Sequence, residues 1–361
     1  MRNDSLSRRD FLKESIAAAV AISPVTLVNI GEAFSNHKAV VAITRVRNDR
    51  VAYAVEEAID LLGGVRAVTK GKNRIILKPN LVCESPDCTT KPEVIRTLAR
   101  LMKDAGKNVA IAEGSAAAGG FNVKEGETFR TNKRELLDRM QLYVFDRLGY
   151  TELAKSVGIP LVNLHSGELV DVPLSGGHAF HTITLHRVIA DADMICSVPM
   201  MKTHVLATVT LGMKNLIGLY PGTVYHSVRS RVHEIAARAG SPGVAYEIVD
   251  MVNVNKVGLV VVDGSMAMEG DGPTGGQLVK MGVIVAGTNP LATDMIAARI
   301  MGFENRDVPT FGVAQKTGMT PASIDDIEVR GEKISSVERK FVRPNIVSWQ
   351  SISRLWGVKE L

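Results

Sequence analysis

Two lysines and a histidine follow a short apolar run in the middle of the chain. The run, Met194–Val198, predicts a buried strand of an α/β sheet, and Pro199 ends it because proline has no N–H to donate to a neighbouring strand. Lys202 and His204 come directly afterwards, and Lys214 lies at a turn further on. If residues 205–211 are extended, one face of this segment carries Lys202, His204, Thr208 and Thr210.

These residue types indicate acid–base chemistry or anion binding. A histidine exchanges protons near neutral pH because its unperturbed pKa is about 6.5. A lysine placed near a core needs an anionic partner, or it loses its charge and becomes nucleophilic. Taken singly, each residue is better explained as a lysine that snorkels to solvent or as a structural histidine. Together, with glycines at 212, 218 and 222, they predict a site formed by Lys202, His204, Lys214 and Asn215.

Polar residues also follow two other predicted strands. The strand Arg74–Leu77 leads into Lys78-Pro79-Asn80, which could hold an anion beside the start of the next helix. The strand Gly258–Asp263 ends in a carboxylate and a glycine-rich loop that contains Glu269. These carboxylates could pair with a lysine, orient a histidine or hold a hard cation, or simply face water in a tight turn. Because ligands bind at the carboxyl ends of parallel strands, we expect Lys78, Asn80, Asp263 and Glu269 to join Lys202, Lys214 and Asn215 in binding a cofactor.

Strands and helices alternate from residue 39 onward, which indicates an α/β protein with right-handed crossovers. The first elements are predicted as strands Val40–Val46, Arg74–Leu77 and Val109–Ala112 and helices Val51–Leu62 and Glu93–Ala105. Further along, Val224–Ala239 has the periodicity of one helix, which would place His226 and His233 on one face. We predict parallel or mixed sheets with flanking helices, in two α/β lobes around a cleft: an N-terminal lobe (38–198), a second lobe (199–330) and a C-terminal tail (331–361).

Several separated motifs resemble those of the bacterial family catalogued as domain of unknown function 362. They are KTH at 202–204, TLGMKNLIGLYPG at 210–222, KPNLV at 78–82 and the segment Asp263–Asp294. The resemblance covers roughly residues 38–330, and the family name itself implies no activity.

A more distant resemblance is to the nickel-dependent lactate racemases. It rests on the order of an apolar strand, a histidine, a G-x-K step, P-G and H-S. It implies a lactate-racemase-like fold, a nickel pincer nucleotide on Lys214, acid–base catalysis by His204 and nickel ligation by His226. The racemases have a second catalytic histidine after an early strand, whereas the corresponding strand here leads into EGSAAAGG. The resemblance therefore extends further for the fold than for the cofactor, and another phosphate-bearing cofactor is an alternative.

Residues 1–35 are predicted to be a twin-arginine signal peptide. SRRDFLK at 7–13 matches the export signal, the apolar region Ile16–Ile30 follows it, and Ala33-Phe34-Ser35 offers a cleavage site. The apolar region is shorter than the roughly 20 residues of a membrane-spanning helix. We expect export of the folded protein to the periplasm by the twin-arginine machinery, with no stable membrane span after cleavage. An uncleaved signal that anchors the protein is the alternative.

The composition favours a soluble globular protein that binds anions. The net charge of +5 is mild, and the sequence has no zinc-finger spacing, RNP-like aromatic cluster or long basic stripe, so we expect no nucleic-acid partner. The three cysteines are Cys83, Cys88 and Cys196. Because an iron–sulfur cluster normally uses four thiolates, a loop disulfide between Cys83 and Cys88, or two free thiols, is favoured over a cluster.

Taken together, the motifs predict an exported, cofactor-dependent enzyme that acts on a small anionic organic substrate by hydride or proton transfer, as a racemase or an oxidoreductase. The alternatives are a non-catalytic periplasmic ligand-binding or cofactor-carrier protein and an iron–sulfur-associated redox protein.

Export is expected to depend on the arginine pair at the start of the chain. Replacing Arg8 and Arg9 together by lysine should leave the precursor in the cytoplasm, because the twin-arginine signal requires both guanidinium groups. Cell fractionation and immunoblotting of the native host measure the outcome. Normal accumulation of the double variant in the periplasm would contradict the predicted route.

Overall fold

The structure, a computed structural model, describes residues 38–121, 123–124, 127–128 and 131–351. The predicted signal segment at 1–35 lies outside these residues, as does the end of the predicted tail at 352–361. Among the described residues, no helix has both the length and the apolar character needed to cross a membrane.

The described strands form one large sheet and two hairpins. Their bounds are β1 Ala39–Arg45, β2 Arg74–Pro79, β3 Asn108–Glu113, β4 Val123–Lys124, β5 Glu127–Thr128, β6 Leu161–Asn163, β7 Leu169–Pro173, β8 Thr182–His186, β9 Met194–Val198, β10 Met200–His204, β11 Thr208–Thr210, β12 Val257–Glu269, β13 Gln277–Val279, β14 Val283–Gly287 and β15 Ile327–Gly331.

The helices flank this sheet and vary from single turns to four turns. Their bounds are α1 Val51–Leu61, α2 Val65–Val68, α3 Pro92–Asp104, α4 Arg134–Arg147, α5 Tyr150–Val157, α6 Arg187–Ala190, α7 Gly212–Asn215, α8 Gly222–Tyr225, α9 Ser230–Arg238, α10 Ala245–Val254, α11 Pro290–Ile300, α12 Pro309–Lys316 and α13 Ile334–Val337.

The large sheet is mixed and has the order β15-β1-β14-β12-β9-β2-β3-β6. In addition, β10 and β13 pair with β12, and β11 pairs with β10. Strands β12, β9, β2, β3 and β6 are parallel, whereas β14 is antiparallel to both β1 and β12. The predicted α/β class, with a large mixed sheet and flanking helices, is confirmed.

Strands from both predicted lobes interleave in this sheet. β1 lies between β14 and β15, and β9 pairs with β12, so the predicted boundary between residues 198 and 199 falls within one sheet. The chain from Ala39 onward forms one compact unit. The interleaving arises because the chain returns to β1 after β12 instead of starting a second sheet.

The core occupies both faces of the sheet because side chains alternate along each strand. Along β9, Met194, Cys196 and Val198 pack on one side, and Ile195 packs on the other. Helices α1, α3, α4 and α5 cover the first side, and α10, α11 and α12 cover the second. The buried positions match those expected from the apolar periodicity of the sequence.

Three local predictions are wrong. The predicted strand Gly258–Asp263 does not end at Asp263, because β12 continues through the start of the predicted loop to Glu269. Residues 205–211 are not one extended segment: the chain turns after His204, and β11 returns antiparallel to β10 with Lys202 opposite Thr210. The predicted helix Val224–Ala239 is also broken, because the backbone at His226, Val228 and Arg229 has positive φ. His226 therefore does not share a straight helix with His233.

Candidate functional site

A small polar cavity lies at the carboxyl ends of β2 and β3, where β10 and α7 approach them. Its volume is about 70 Å³. Its walls carry four basic side chains, one histidine, one carboxylate and three smaller polar side chains, which belong to Lys78, Asn80, Glu113, Lys202, His204, Thr210, Lys214, Asn215 and Arg229. Six of the nine predicted site residues therefore share one cavity, and their role in binding a cofactor stays a prediction.

Lys78 and Glu113 form a buried ion pair between the ends of β2 and β3. The Lys78 Nζ lies 2.8 Å from Oε2 and 2.9 Å from Oε1 of Glu113, and their side chains are 0% and 3% exposed. Burial lowers the pKa of Lys78, and the Glu113 carboxylate opposes that shift. The ion pair thus compensates one of the four basic groups.

Backbone and amide groups hold this ion pair in place. The Glu113 carboxylate also accepts hydrogen bonds from the N–H groups of Gly114 at 2.8 Å and Leu81 at 3.1 Å. The Asn215 amide accepts from Lys78 Nζ at 3.2 Å and donates to the Lys78 carbonyl at 3.1 Å. A side chain at Gly218 would collide with both members of the pair, which explains the glycine there.

Lys202 lies in the middle of β10 and is fully buried. Its ammonium donates to the carbonyl oxygens of Cys88 at 2.6 Å and Pro273 at 3.2 Å. Carbonyl oxygens solvate the ammonium without neutralising it, so burial lowers the pKa of Lys202 to about 8.

Lys214 is positioned by a capped turn of helix. The Asp294 carboxylate accepts hydrogen bonds from the N–H groups of Gly212 and Met213, both at 2.7 Å, at the start of α7. A side chain at Gly212 would collide with Val260, so the glycine lets α7 pack directly on β12. Burial and the nearby positive charges of Lys202, Arg229 and Lys78 lower the pKa of Lys214 to about 8, although the Glu247 carboxylate opposes the shift.

The Lys214 side chain is half-buried, and its ammonium has no hydrogen bond or ion pair with any residue that the structure describes. Two other polar atoms of the cavity are in the same situation. The Thr210 Oγ1 and the Asn80 Oδ1 are buried and have no hydrogen-bond partner within the described part of the chain. Buried polar groups are normally hydrogen-bonded, so these unsatisfied groups indicate a binding position for a ligand or water.

His204 is neutral in this arrangement. Its Nδ1 accepts a hydrogen bond from the Leu206 N–H at 3.0 Å, which assigns the proton of the neutral ring to Nε2. Burial and the charges of Lys214 and Lys202 lower the pKa of His204 well below its usual value. At neutral pH the ring therefore offers an Nε2–H donor to a ligand in the cavity.

Arg229 is the largest fully buried side chain and lines the cavity beside Gly114. Its guanidinium donates to the carbonyl oxygens of Ile217 at 3.2 Å and Gly218 at 3.3 Å, and also to Gly114. Burial lowers the pKa of Arg229 to about 10. The positive φ of 48° at Val228 and 57° at Arg229 is costly for residues with a Cβ, and it is the backbone shape that brings this guanidinium inside.

Three predicted site residues lie elsewhere. Asp263 accepts hydrogen bonds from the Lys91 N–H at 3.0 Å and the Ser265 hydroxyl at 2.6 Å, so it fixes the start of α3. Glu269 accepts from the Val342 N–H at 3.1 Å and holds the C-terminal segment. His226 lies at the break between α8 and α9, outside the cavity lining.

The described residues do not fit a nickel pincer nucleotide. The cavity of about 70 Å³ is far smaller than the ~300–1,000 Å³ typical of pockets for such ligands. Among the described residues, no group of three or more histidine, cysteine, aspartate or glutamate side chains could hold a metal ion. His226 is not among the residues that line the cavity.

Glu113 and Arg229 are the two charged residues of the cavity that were not among the predicted site residues. Glu113 is the last residue of β3, so its position at a strand end was an available signal. Arg229 gave no such signal, because its segment has the periodicity of a continuous helix and only the backbone break turns the side chain inward.

Comparisons with known proteins agree with the sequence motifs. Residues 75–299 match the family described as Domain of unknown function (DUF362). A thylakoid-associated protein of Synechocystis sp. is 26% identical over 270 residues, which are 74% of this chain and 75% of that protein. The chain belongs to the DUF362 family.

A solved structure with partial similarity is the lactate racemase apoprotein from Thermoanaerobacterium thermosaccharolyticum. It is 12% identical, with a TM-score of 0.41 over 73% of this chain. This chain spans 57% of the length of the racemase.

Removing the carboxylate of the central ion pair should strongly destabilise the fold. Glu113→Gln leaves the Lys78 ammonium buried without a counter-charge, and we expect a loss of about 3–5 kcal/mol in the free energy of unfolding. Urea denaturation measures the loss. In the exposed pair of Lys155 and Glu152, Glu152→Gln is the matched control and should change it by less than about 1 kcal/mol.

The double variant Lys78→Met with Glu113→Gln should recover part of the lost stability, because no charge is then left uncompensated. A double variant as unstable as Glu113→Gln alone would show that packing, and not charge, dominates at this position.

Proposed function

We propose that this member of the DUF362 family is an enzyme that binds the anionic end of a small organic substrate in the polar cavity and transfers a proton on it. One observation supports the proposal above all. Lys202, Lys214 and Arg229 share a cavity in which the lining carboxylate, Glu113, is already paired with Lys78. A buried cation without a counter-charge is unfavourable, and a bound anion supplies that charge.

The cavity offers an oxyanion several donors at once. The Lys214 ammonium, the Thr210 hydroxyl and the Nε2–H of His204 all line it, and the first two have no partner within the described residues. The volume of about 70 Å³ suits a carboxylate or phosphate group, with the remainder of the ligand outside it. A phosphate-bearing cofactor would be held through the same contacts.

The proton transfer is assigned to Lys214. General acid–base catalysis is most effective when the pKa of the catalytic group lies near the working pH, and the pKa of Lys214 is lowered to about 8. His204, which is neutral, donates its Nε2–H to the substrate oxygen and stabilises the charge that develops there. The acid–base role predicted for His204 from the sequence is thereby moved to Lys214.

Export to the periplasm by the twin-arginine route is part of the proposal, since the anionic ligand would be encountered or loaded on that path.

A non-catalytic ligand-binding or carrier protein would use the same cavity. Incubating the protein with small 2-hydroxy and 2-oxo acids in deuterated water distinguishes the two. An enzyme exchanges a substrate proton for deuterium, and Lys214→Met abolishes the exchange. Binding of an acid without exchange would favour the carrier.

Lys214 should stabilise a bound anion and destabilise the empty protein. The folded pKa of about 8 lies below the ordinary 10.5, so the unfolded state binds more protons between these values. The stability of the wild type should therefore rise with pH from about 8 to about 10.5. Lys214→Met should raise the thermal midpoint of the anion-free protein at pH 7 and flatten this rise.

The same variant should weaken the binding of inorganic phosphate at least tenfold in isothermal titration calorimetry. In the wild type, that binding should weaken as the pH rises through about 8, because the ammonium loses its proton. Lys70→Met, at an exposed lysine, is the control and should leave both measurements unchanged. A Lys214→Met variant that is destabilised at pH 7 and still binds phosphate would refute the assignment.

A further inference from the structure

Cys83 and Cys88 lie beside the polar cavity with their sulfur atoms close together. Their Sγ atoms are 3.0 Å apart, and a single 3₁₀ turn, Pro86–Cys88, brings the second cysteine back to the first. Cys83 is partly exposed, whereas Cys88 is buried. A disulfide bond of about 2.05 Å needs only a small further approach of the two sulfur atoms.

The two thiols differ in reactivity. The hydrogen bond from the Cys88 thiol lowers the pKa of Cys83 to about 7, and the same interaction raises the pKa of Cys88. The thiolate is the nucleophile in disulfide exchange, and a thiol whose pKa is near the ambient pH attacks fastest. Cys83 is therefore the attacking residue, and the shielded Cys88 is the resolving residue.

The surroundings of the pair isolate it and connect it to the cavity. Cys88 packs against Met200 and Met268, which exclude water from its sulfur. The Cys88 carbonyl accepts the 2.6 Å hydrogen bond from Lys202, and negative charge on the two sulfurs raises the pKa of that lysine. Cys196, in contrast, is buried inside β9, where burial raises its pKa and keeps it inert.

We propose that Cys83 and Cys88 are a reversible thiol–disulfide site, which is oxidised by exchange with a disulfide substrate and which adjusts the charge around Lys202. The position of the sulfur atoms, the unequal exposure of the two cysteines and the contact between Lys202 and Cys88 carry this proposal.

The exchange proceeds in two balanced steps. The Cys83 thiolate attacks one sulfur of the external disulfide, forms a mixed disulfide and releases one thiolate. Cys88 then loses its proton to that released thiolate and attacks the Cys83 Sγ, which expels the second thiolate. Two cysteine thiols are oxidised, and one external disulfide is reduced to two thiols.

Oxidation removes the thiolate charge near Lys202. The Lys202 ammonium keeps its two carbonyl partners but loses the nearby negative charge, so an anion in the cavity becomes a more favourable counter-charge at pH 7. This coupling rests on the proposed anion binding, whereas the thiol exchange itself does not. We therefore expect the oxidised protein to bind inorganic phosphate severalfold more tightly than the reduced protein.

The test uses the purified full chain, reduced and then equilibrated with oxidised glutathione. Alkylation and mass spectrometry should show the loss of two thiols, a cross-linked peptide containing Cys83 and Cys88, and full recovery of both thiols with dithiothreitol. Cys88→Ser should stop at a mixed disulfide between Cys83 and glutathione. Cys83→Ser should react at least tenfold more slowly, and Cys196→Ser is the matched control that should behave as the wild type.

Stable mixed disulfides in the wild type, or faster attack by Cys88 than by Cys83, would overturn the exchange proposal. Phosphate titration of the reduced and oxidised protein tests the coupling separately. Equal phosphate affinities would overturn the coupling alone. Failure of both forms to bind phosphate, with normal exchange, would instead contradict the proposed anion site.

Discussion

The buried ion pair between Lys78 and Glu113 is the interaction on which the geometry of the cavity depends. It joins the carboxyl ends of two neighbouring parallel strands, and its oxygen and nitrogen atoms also bind Leu81, Gly114 and Asn215. Such a pair stabilises a fold only when the remaining hydrogen bonds are made, because both ions lose their hydration. Here these bonds tie together the loop after β2, the turn after β3 and helix α7, so one interaction positions three walls of the cavity.

An excess of positive charge surrounds this pair, and other parts of the fold keep it in place. Asp294 caps α7 through two backbone N–H groups, which aims Lys214 at the cavity without neutralising it. The break between α8 and α9 brings Arg229 to four backbone carbonyls, and it requires positive φ at a β-branched residue, Val228. Local strain and uncompensated charge are unfavourable for folding, and they concentrate where a ligand would offset them.

Two segments near the cavity contribute a cysteine pair and long-range contacts. The loop after β2 holds Cys83 and Cys88, and its carbonyl at Cys88 fixes the Lys202 ammonium. The C-terminal segment returns to β12 through the hydrogen bond from Val342 to Glu269, and Trp349 packs against His233 with 4.9 Å between the ring centroids. His233 in turn contacts Glu247 at 2.9 Å, so the C-terminal segment packs against the residues of α9 and α10.

The periodicity of apolar residues determined the helices and strands, whereas contacts between distant segments determined the polar cavity. Apolar runs such as Met194–Val198 predicted the parallel strands, because burial on both faces leaves a continuous apolar pattern. Since polar residues after such strands gather at one sheet edge, Lys78, Lys202, His204 and Lys214 could be predicted to converge.

The partners of these residues could not be predicted from the sequence. Glu113 is paired with Lys78 by strand order. Asp294 reaches Gly212 at the start of α7 across 82 residues of sequence, and Arg229 enters through a backbone conformation that its own sequence disfavours. Asp263 and Glu269 have the residue types of a ligand site, but backbone N–H groups from α3 and the C-terminal segment occupy them, and only the tertiary structure brings those groups close.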